Sequence, residues 1–129
     1  MKKDYDKWNN KKIGLNDHNP RLFFQEREVW FTSLGANIGS EQDGKGSEFL
    51  RPVIVIKKFN NEIFWGIPTT KHYKPSPYYL RCEYNKGKYT NAILSQLRLI
   101  DCKRIKYPIG HISESDFLEM RNRIKLFLT

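Results

Sequence analysis

The sequence predicts a mainly β protein, a small barrel of short strands that carries one C-terminal α-helix and is preceded by an N-terminal helical arm. Three observations predict it. After residue 28, apolar and β-branched runs of strand length recur between Gly, Pro and Asn turn signals. Apolar residues fall at clear helical spacing only near the C-terminal end. Residues 1–27 differ in character, being dominated by Lys, Asp and Asn with scattered Tyr5, Trp8, Ile13 and Leu15. At 129 residues the chain suffices for one core, so the expected organisation is an extension over 1–27 packing on a single domain over 28–129.

In the arm, Tyr5 and Trp8 lie three residues apart and would share a face of a short helix ending near Gly14. Docking of that face on the domain is favoured over a basic arm that touches a polyanion, because the aromatics are natural anchors. Asn16 to Pro20 reads as a turn. Glu28 to Leu34 is strand-like, with Val29, Phe31 and Ser33 on one face and Trp30, Thr32 and Leu34 on the other. Pro52 to Ile56 is a continuous β-branched run, the pattern of a strand covered on both faces. Asn60 and Asn61 turn the chain, and Ile63 to Pro68 returns antiparallel to it, with Thr69, Thr70, Lys71 and His72 as its continuation or exit. Tyr78 to Tyr84 alternates beyond a Pro-broken loop, and Asn85 to Lys88 turns into a run from Asn91 to Ile100. Ser113 is a helix N-cap with Asp116 three residues on, and Ile112 and Phe117 can staple across it. Phe117, Met120, Ile124 and Phe127 or Leu128 form the stripe expected to pack, while Arg121, Arg123 and Lys125 face out. His111, just before the cap, reads as a structural residue.

The 23 Lys and Arg against 14 Asp and Glu leave a formal charge of +9, which favours a polyanionic or acidic partner. No apolar run approaches the ~20 residues of a spanning helix, and the N-terminus lacks the apolar core of a signal peptide, so a cytoplasmic protein is expected. Cys82 and Cys102 have neither Cys-x-x-Cys nor paired-His spacing and are expected to be reduced thiols, with no structural metal.

Function points to Gly39–Arg51. Three glycines in GSEQDGKGSEFLR demand sharp turns, and Glu41, Asp43, Lys45 and Glu48 must stay wet. Arg51 follows at a strand entrance, where Pro52 fixes φ and biases Arg51 to extended geometry, presenting a planar fork suited to phosphate. Gly39 to Lys45 also satisfies G-x-x-x-x-G-K. Gly46 stands where the Ser or Thr of a nucleotide-cradling loop belongs, however, and a Pro-led strand replaces the helix, both of which argue against that reading. A solvated charged turn remains the plain alternative to a phosphate site.

The stretch EVWFTSLGANIGSEQDGKGSEFLRPVIVI, residues 28–56, resembles the opening of the MazF/PemK family of toxin endoribonucleases, whose signature is a hydrophobic strand, then G-S-E-Q, then R-P-V. It is most similar to a long-loop variant with D-G-K-G-x-x-F between the Gln and the Arg. The likeness resumes at 64–70, at AILSQLRLID and through IGHISESDF. It implies an SH3-like, MazF-like barrel that cleaves single-stranded RNA, such as mRNA, without metal or other cofactor, the ribose 2′-hydroxyl attacking the adjacent phosphate. Arg51 matches the family's catalytic Arg and suits electrostatic stabilisation of the crowded phosphorane. Thr70 matches the Thr closing the family's I-P-x-T strand. Thr69 points to the opposite face. Glu41 matches the loop Glu and would accept the 2′-proton or orient Arg51.

Some family members carry Arg and a carboxylate shortly before the Gln of the late strand, where this chain has Ile93 and Ser95 leading to Gln96. That departure leaves Glu41 or His72 as bases, and His72 would share Thr70's face if the strand continues. Lys45, Lys71 and Lys74 would hold RNA phosphates, Tyr73, Tyr78 and Tyr79 would stack bases, and Gln96 would join them in binding RNA. A non-catalytic RNA-binding barrel uses the same residues and is the alternative. The resemblance further implies a homodimer with an RNA groove across both subunits, and a cognate antitoxin whose acidic segment covers Gly39 to Arg51 and Lys71 to Tyr79.

Overall fold

The computed structural model describes residues 23–35 and 50–129. The expected arm helix with Tyr5 and Trp8, and the loop residues Glu41 and Lys45, lie outside them. Among the described residues seven strands, β1 (Glu28–Ser33), β2 (Leu50–Lys58), β3 (Ile63–Thr70), β4 (Tyr79–Asn85), β5 (Lys88–Ile93), β6 (Arg98–Asp101) and β7 (Ile105–His111), precede one α-helix, α1 (Glu114–Phe127). The strands run in the order β4-β5-β3-β2-β1-β7, with β6 paired to β3. Every pairing is antiparallel. The sheet curls until its two ends meet, where Asn85 Nδ2 donates to the Ile109 carbonyl at 3.3 Å.

β2 is covered on both faces, and its alternation splits the core in two. Ile54 and Ile56 join Val29, Ile67, Cys82, Ala92, Ile112 and Met120 inside the curl. Val53 and Val55 join Phe24, Trp30, Phe64, Ile100 and Ile105 on the other side. The segment before β1 is thereby tied to the body. Phe24 is buried against the Phe64 ring at 4.9 Å, and Lys58 Nζ donates to the Phe24 carbonyl at 2.9 Å.

Residues 91–100 depart from the single element expected of them. β5 ends at Ile93, a 3-10 turn takes Leu94–Gln96, and β6 begins at Arg98. The break lets two strands share one neighbour, since Thr69 and Thr70 of β3 pair with β5 while Ile63 to Gly66 pair with β6. β7 was not foreseen, because Pro108 and Gly110 interrupt its pattern. It is the last strand in the sheet order, where a proline forfeits little of the ladder.

Helix α1 begins as the sequence requires, with Ser113 Oγ accepting from the Asp116 N–H at 3.1 Å. Met120 is fully buried, and Phe117 and Ile124 pack beside it. The packing stripe stops there. Leu128 is 81% exposed, and Phe127 rests on Tyr78 at 4.8 Å between ring centroids. Arg123 does not face out. Its Nη1 donates to the Pro77 and Tyr79 carbonyls at 3.2 and 3.1 Å, while Nε meets Glu119 at 2.8 Å. None of the helices among the described residues is long and apolar enough to cross a membrane.

Cys82 sits under α1, where burial and then the Asp116 carboxylate push its thiol from an ordinary 9.0 up to about 12. The folded state therefore keeps a proton that the unfolded chain surrenders, so this group's contribution to stability is lost as pH rises from 9.0 toward about 12. We expect iodoacetamide at mildly alkaline pH to leave Cys82 unmodified in the native protein and to label it in urea, read by peptide mass spectrometry. Prompt native labelling would contradict that placement.

Candidate functional site

A row of polar side chains crosses the sheet at one end of its strands. Residues opposite each other in an antiparallel ladder share a face. β1 sets Thr32 opposite Arg51. β2 sets Val53 opposite Pro68, and that register continued by two residues would bring Arg51 opposite Thr70. β5 pairs Asn91 with Thr70 on one side and with Arg81 of β4 on the other. The row thus runs Thr32, Arg51, Thr70, Asn91, Arg81. At the usual spacing of neighbouring strands, Arg51 and Arg81 stand roughly 14 Å apart along the sheet.

Arg51 is only 7% exposed, and its Nη1 donates to the Thr69 carbonyl at 3.1 Å. That bond fixes the plane of the guanidinium, while Pro52 stiffens the backbone behind it. The two threonines differ in what their hydroxyls have left to offer. Thr69 Oγ1 donates its hydrogen to the Pro52 carbonyl at 3.0 Å, so it has none for a substrate. Thr70 Oγ1 accepts from the His72 N–H at 3.2 Å, which leaves its own hydrogen available to a phosphate oxygen.

The Thr70 carbonyl is held twice, by Thr90 Oγ1 at 3.2 Å and by Asn91 Nδ2 at 3.1 Å. Thr70 is therefore a fixed point at the strand end. Asn91 is 5% exposed, and its Oδ1 is buried with no hydrogen-bond partner. An acceptor left in that state costs about 1–3 kcal/mol.

β3 ends at Thr70, so Lys71, His72, Tyr73 and Lys74 belong to an exposed loop, and strand alternation does not carry His72 onto Thr70's face. The far end of this loop is anchored to α1 through Arg123. Lys74 Nζ lies 6.0 Å over the Tyr79 ring, Tyr78 is engaged by Phe127, and Tyr73 stays 57% exposed. Loop, β4 and α1 enclose an open groove of about 1000 Å³ lined by Tyr73, Pro75, Tyr79, Arg81 and Phe127 among others. Arg81, stacked 4.5 Å over Tyr89, belongs both to this groove and to the polar row. Gln96 sits half-buried in the 3-10 turn, off the row.

The structure holds the Arg51 guanidinium on the carbonyl of Thr69, the chain neighbour of Thr70, and places Lys71, Tyr73 and Lys74 on the loop that follows. Asn91, Thr90, Arg81 and Arg123 were missed by sequence reasoning. The available signal for Asn91 was a lone carboxamide opening an apolar run, and for Arg81 a cation on an alternating strand.

Comparison with known proteins bears on this geometry. Residues 25–128 match the family described as PemK-like, MazF-like toxin of type II toxin-antitoxin system. Among solved structures, MazF from Deinococcus radiodurans superposes with a TM-score of 0.65 at 15% identity, covering 83% of this chain and 97% of that one. A MazE-MazF structure from the same organism gives 0.58 at 13% identity, covering 83% and 96%. The Mycobacterium tuberculosis toxin MazF-mt6 gives 0.59 at 12%, covering 79% and 96%. At these identities the superpositions show a shared fold. A search of curated proteins finds no match.

Proposed function

Because this chain belongs to the PemK-like, MazF-like family of toxins of type II toxin-antitoxin systems, we propose that it is an endoribonuclease toxin that cleaves single-stranded RNA in the cytoplasm and is neutralised by a cognate antitoxin. The observation that supports the reading is a buried Arg51 bonded to the Thr69 carbonyl, next in the chain to Thr70, whose hydroxyl accepts from the His72 N–H and keeps its own hydrogen. In the proposed reaction the ribose 2′-oxygen attacks the adjacent phosphorus, a P–O2′ bond forms, and the P–O5′ bond breaks. The products are a 2′,3′-cyclic phosphate and a free 5′-hydroxyl.

Arg51 and Thr70 hold the non-bridging oxygens and counter the charge that grows on them. Arg51 stays protonated throughout, so another group must take the 2′-proton. That role falls to His72, whose backbone already meets Thr70, or to Glu41. The leaving 5′-oxygen takes a proton from the same group or from water. Lys71, Lys74 and Arg81 draw the phosphate backbone away from the cut, and the exposed Tyr73 offers a stacking face.

The same positive, aromatic-lined surface suits an acidic antitoxin segment that folds on it and competes with substrate. Two copies of the chain would align their rows into one RNA groove. The test is cleavage of a long single-stranded RNA in EDTA, with antitoxin then titrated into the reaction. The expected result is metal-independent cutting at a restricted set of sites, suppressed stoichiometrically by antitoxin. Intact RNA, or cutting only when a divalent ion is restored, would contradict it.

A further inference from the structure

Three large apolar side chains lie exposed together at the end of the strands opposite the polar row. Phe59 and Trp65 meet edge to face at 5.0 Å between ring centroids and are 44% and 42% exposed. Leu99 of β6 stands opposite Trp65 in the ladder and is 56% exposed. A lone surface leucine is ordinary, but two stacked aromatics extended by a cross-strand leucine make one continuous patch, which calls for a cover. Around it Lys57 and Arg98 are balanced by Glu62 and Asp101, so the surroundings hold no net attraction for a polyanion. Trp65 lies five residues before Thr70, roughly 17 Å along β3, which separates the patch from the row.

The incoming chain stands beside this patch. Phe24 is buried against Phe64, the chain neighbour of Trp65, and its carbonyl accepts from Lys58 Nζ, the neighbour of Phe59. Phe23, one step upstream, is 70% exposed, so the chain enters the sheet at this end. Residues 1–22 carry Tyr5, Trp8, Ile13 and Leu15 in a stretch otherwise rich in Lys, Asp and Asn. Leu15 is nine residues before Phe24 and can lie up to ~30 Å from it, so the reach is ample. Tethering also gives such a segment an effective concentration on the order of millimolar, which a free partner would have to exceed.

We propose that residues 1–22 of the same chain cover this patch, with Tyr5 and Trp8 seated on Phe59, Trp65 and Leu99. The segment is then an intramolecular cap on the end of the sheet remote from Arg51. The assignment stands apart from the RNA-cleaving reading, because cap and row occupy opposite ends of the strands.

The experiment places a photoreactive benzoylphenylalanine at position 8 of the full chain, irradiates it, and maps the crosslinks by peptide mass spectrometry. The expected result is crosslinking within the monomer-mass band to peptides spanning 57–65 and 98–101. Crosslinks confined to a dimer-mass band would give the patch to a second copy and overturn the cap, as would monomer-band crosslinks on other elements or none at all. A second arm is a double-mutant cycle read by thermal melts. Trp8→Ser and Leu99→Ser are each expected to lower Tm by roughly 4 °C, and the double variant to fall little further than the larger single. Phe59→Ser, outside the strands, repeats the cycle if Leu99→Ser fails to fold. Additive shifts would show that the two surfaces do not meet. RNA cleavage by Trp8→Ser is expected to match wild type, and a fall in RNA affinity with an unchanged Tm would make the segment an RNA contact and overturn the assignment.

Discussion

Arg51→Ala is expected to lower cleavage by about 10²–10³ or more, the loss typical of removing a fixed donor aimed at developing charge. The side chain is 7% exposed and bonded to the Thr69 carbonyl, so its position is set before substrate arrives. Among the described residues no lysine is placed to take over, since Lys71 and Lys74 sit on the exposed loop beyond the strand end. Truncation frees the buried Thr69 carbonyl, which costs about 1–3 kcal/mol. Arg51→Lys keeps the charge but loses the planar fork, and is expected to fall between Ala and wild type. The measurement is single-turnover cleavage of one oligonucleotide alongside thermal melts of each variant. Near-wild-type cutting by a folded Arg51→Ala would remove Arg51 from the site.

The largest expected effect on stability is far from that row, at Gly110 of β7. A Cβ placed there would lie 1.8 Å from the Tyr84 carbonyl oxygen and 2.9 Å from the carbonyl carbon, both backbone atoms that no rotamer change can move. This close approach is where β7 meets β4 and the sheet ends come together. Gly110→Ala must therefore push the two strands apart, at a cost of about 3 kcal/mol or more, the upper end of overpacking effects. Gly87 is the control. Its φ is also positive, at +74°, but a Cβ there meets nothing within 4 Å, so Gly87→Ala should cost only the backbone term of about 1–2 kcal/mol. Urea midpoints for the two variants decide the matter. Equal midpoints would mean that the sheet ends do not depend on this contact.

Local chemistry explains which parts of the molecule were legible in the sequence. β2 and β3 are β-branched runs joined by an Asn turn, and Ser113 with Asp116 carries its own capping geometry, so each element is specified by residues within a few positions. The pairing of β2 with β3 followed from the same hairpin; alternation put Thr69 and Thr70 on opposite faces, and the family resemblance chose Thr70. What the sequence hid depends on distant partners. The break at Leu94–Gln96 exists because β3 accepts two different neighbours, which no local pattern encodes. Arg123 turns inward because the Pro77 and Tyr79 carbonyls happen to face α1 across the loop. Asn91 looked like the start of a strand, and only the register with Thr70 and Arg81 reveals an acceptor in the row.

The central claim is that this row breaks RNA by 2′-hydroxyl attack, and the chemical ends of the product test it most directly. One oligonucleotide of a cleaved sequence is incubated with the protein in EDTA, and the fragments are weighed by mass spectrometry. The account predicts a 2′,3′-cyclic phosphate on the upstream fragment, a 5′-hydroxyl on the downstream one, and no cutting when the single ribose at the cleaved bond is replaced by 2′-deoxyribose. A 3′-hydroxyl with a 5′-phosphate, or continued cleavage of the 2′-deoxy substrate, would contradict it.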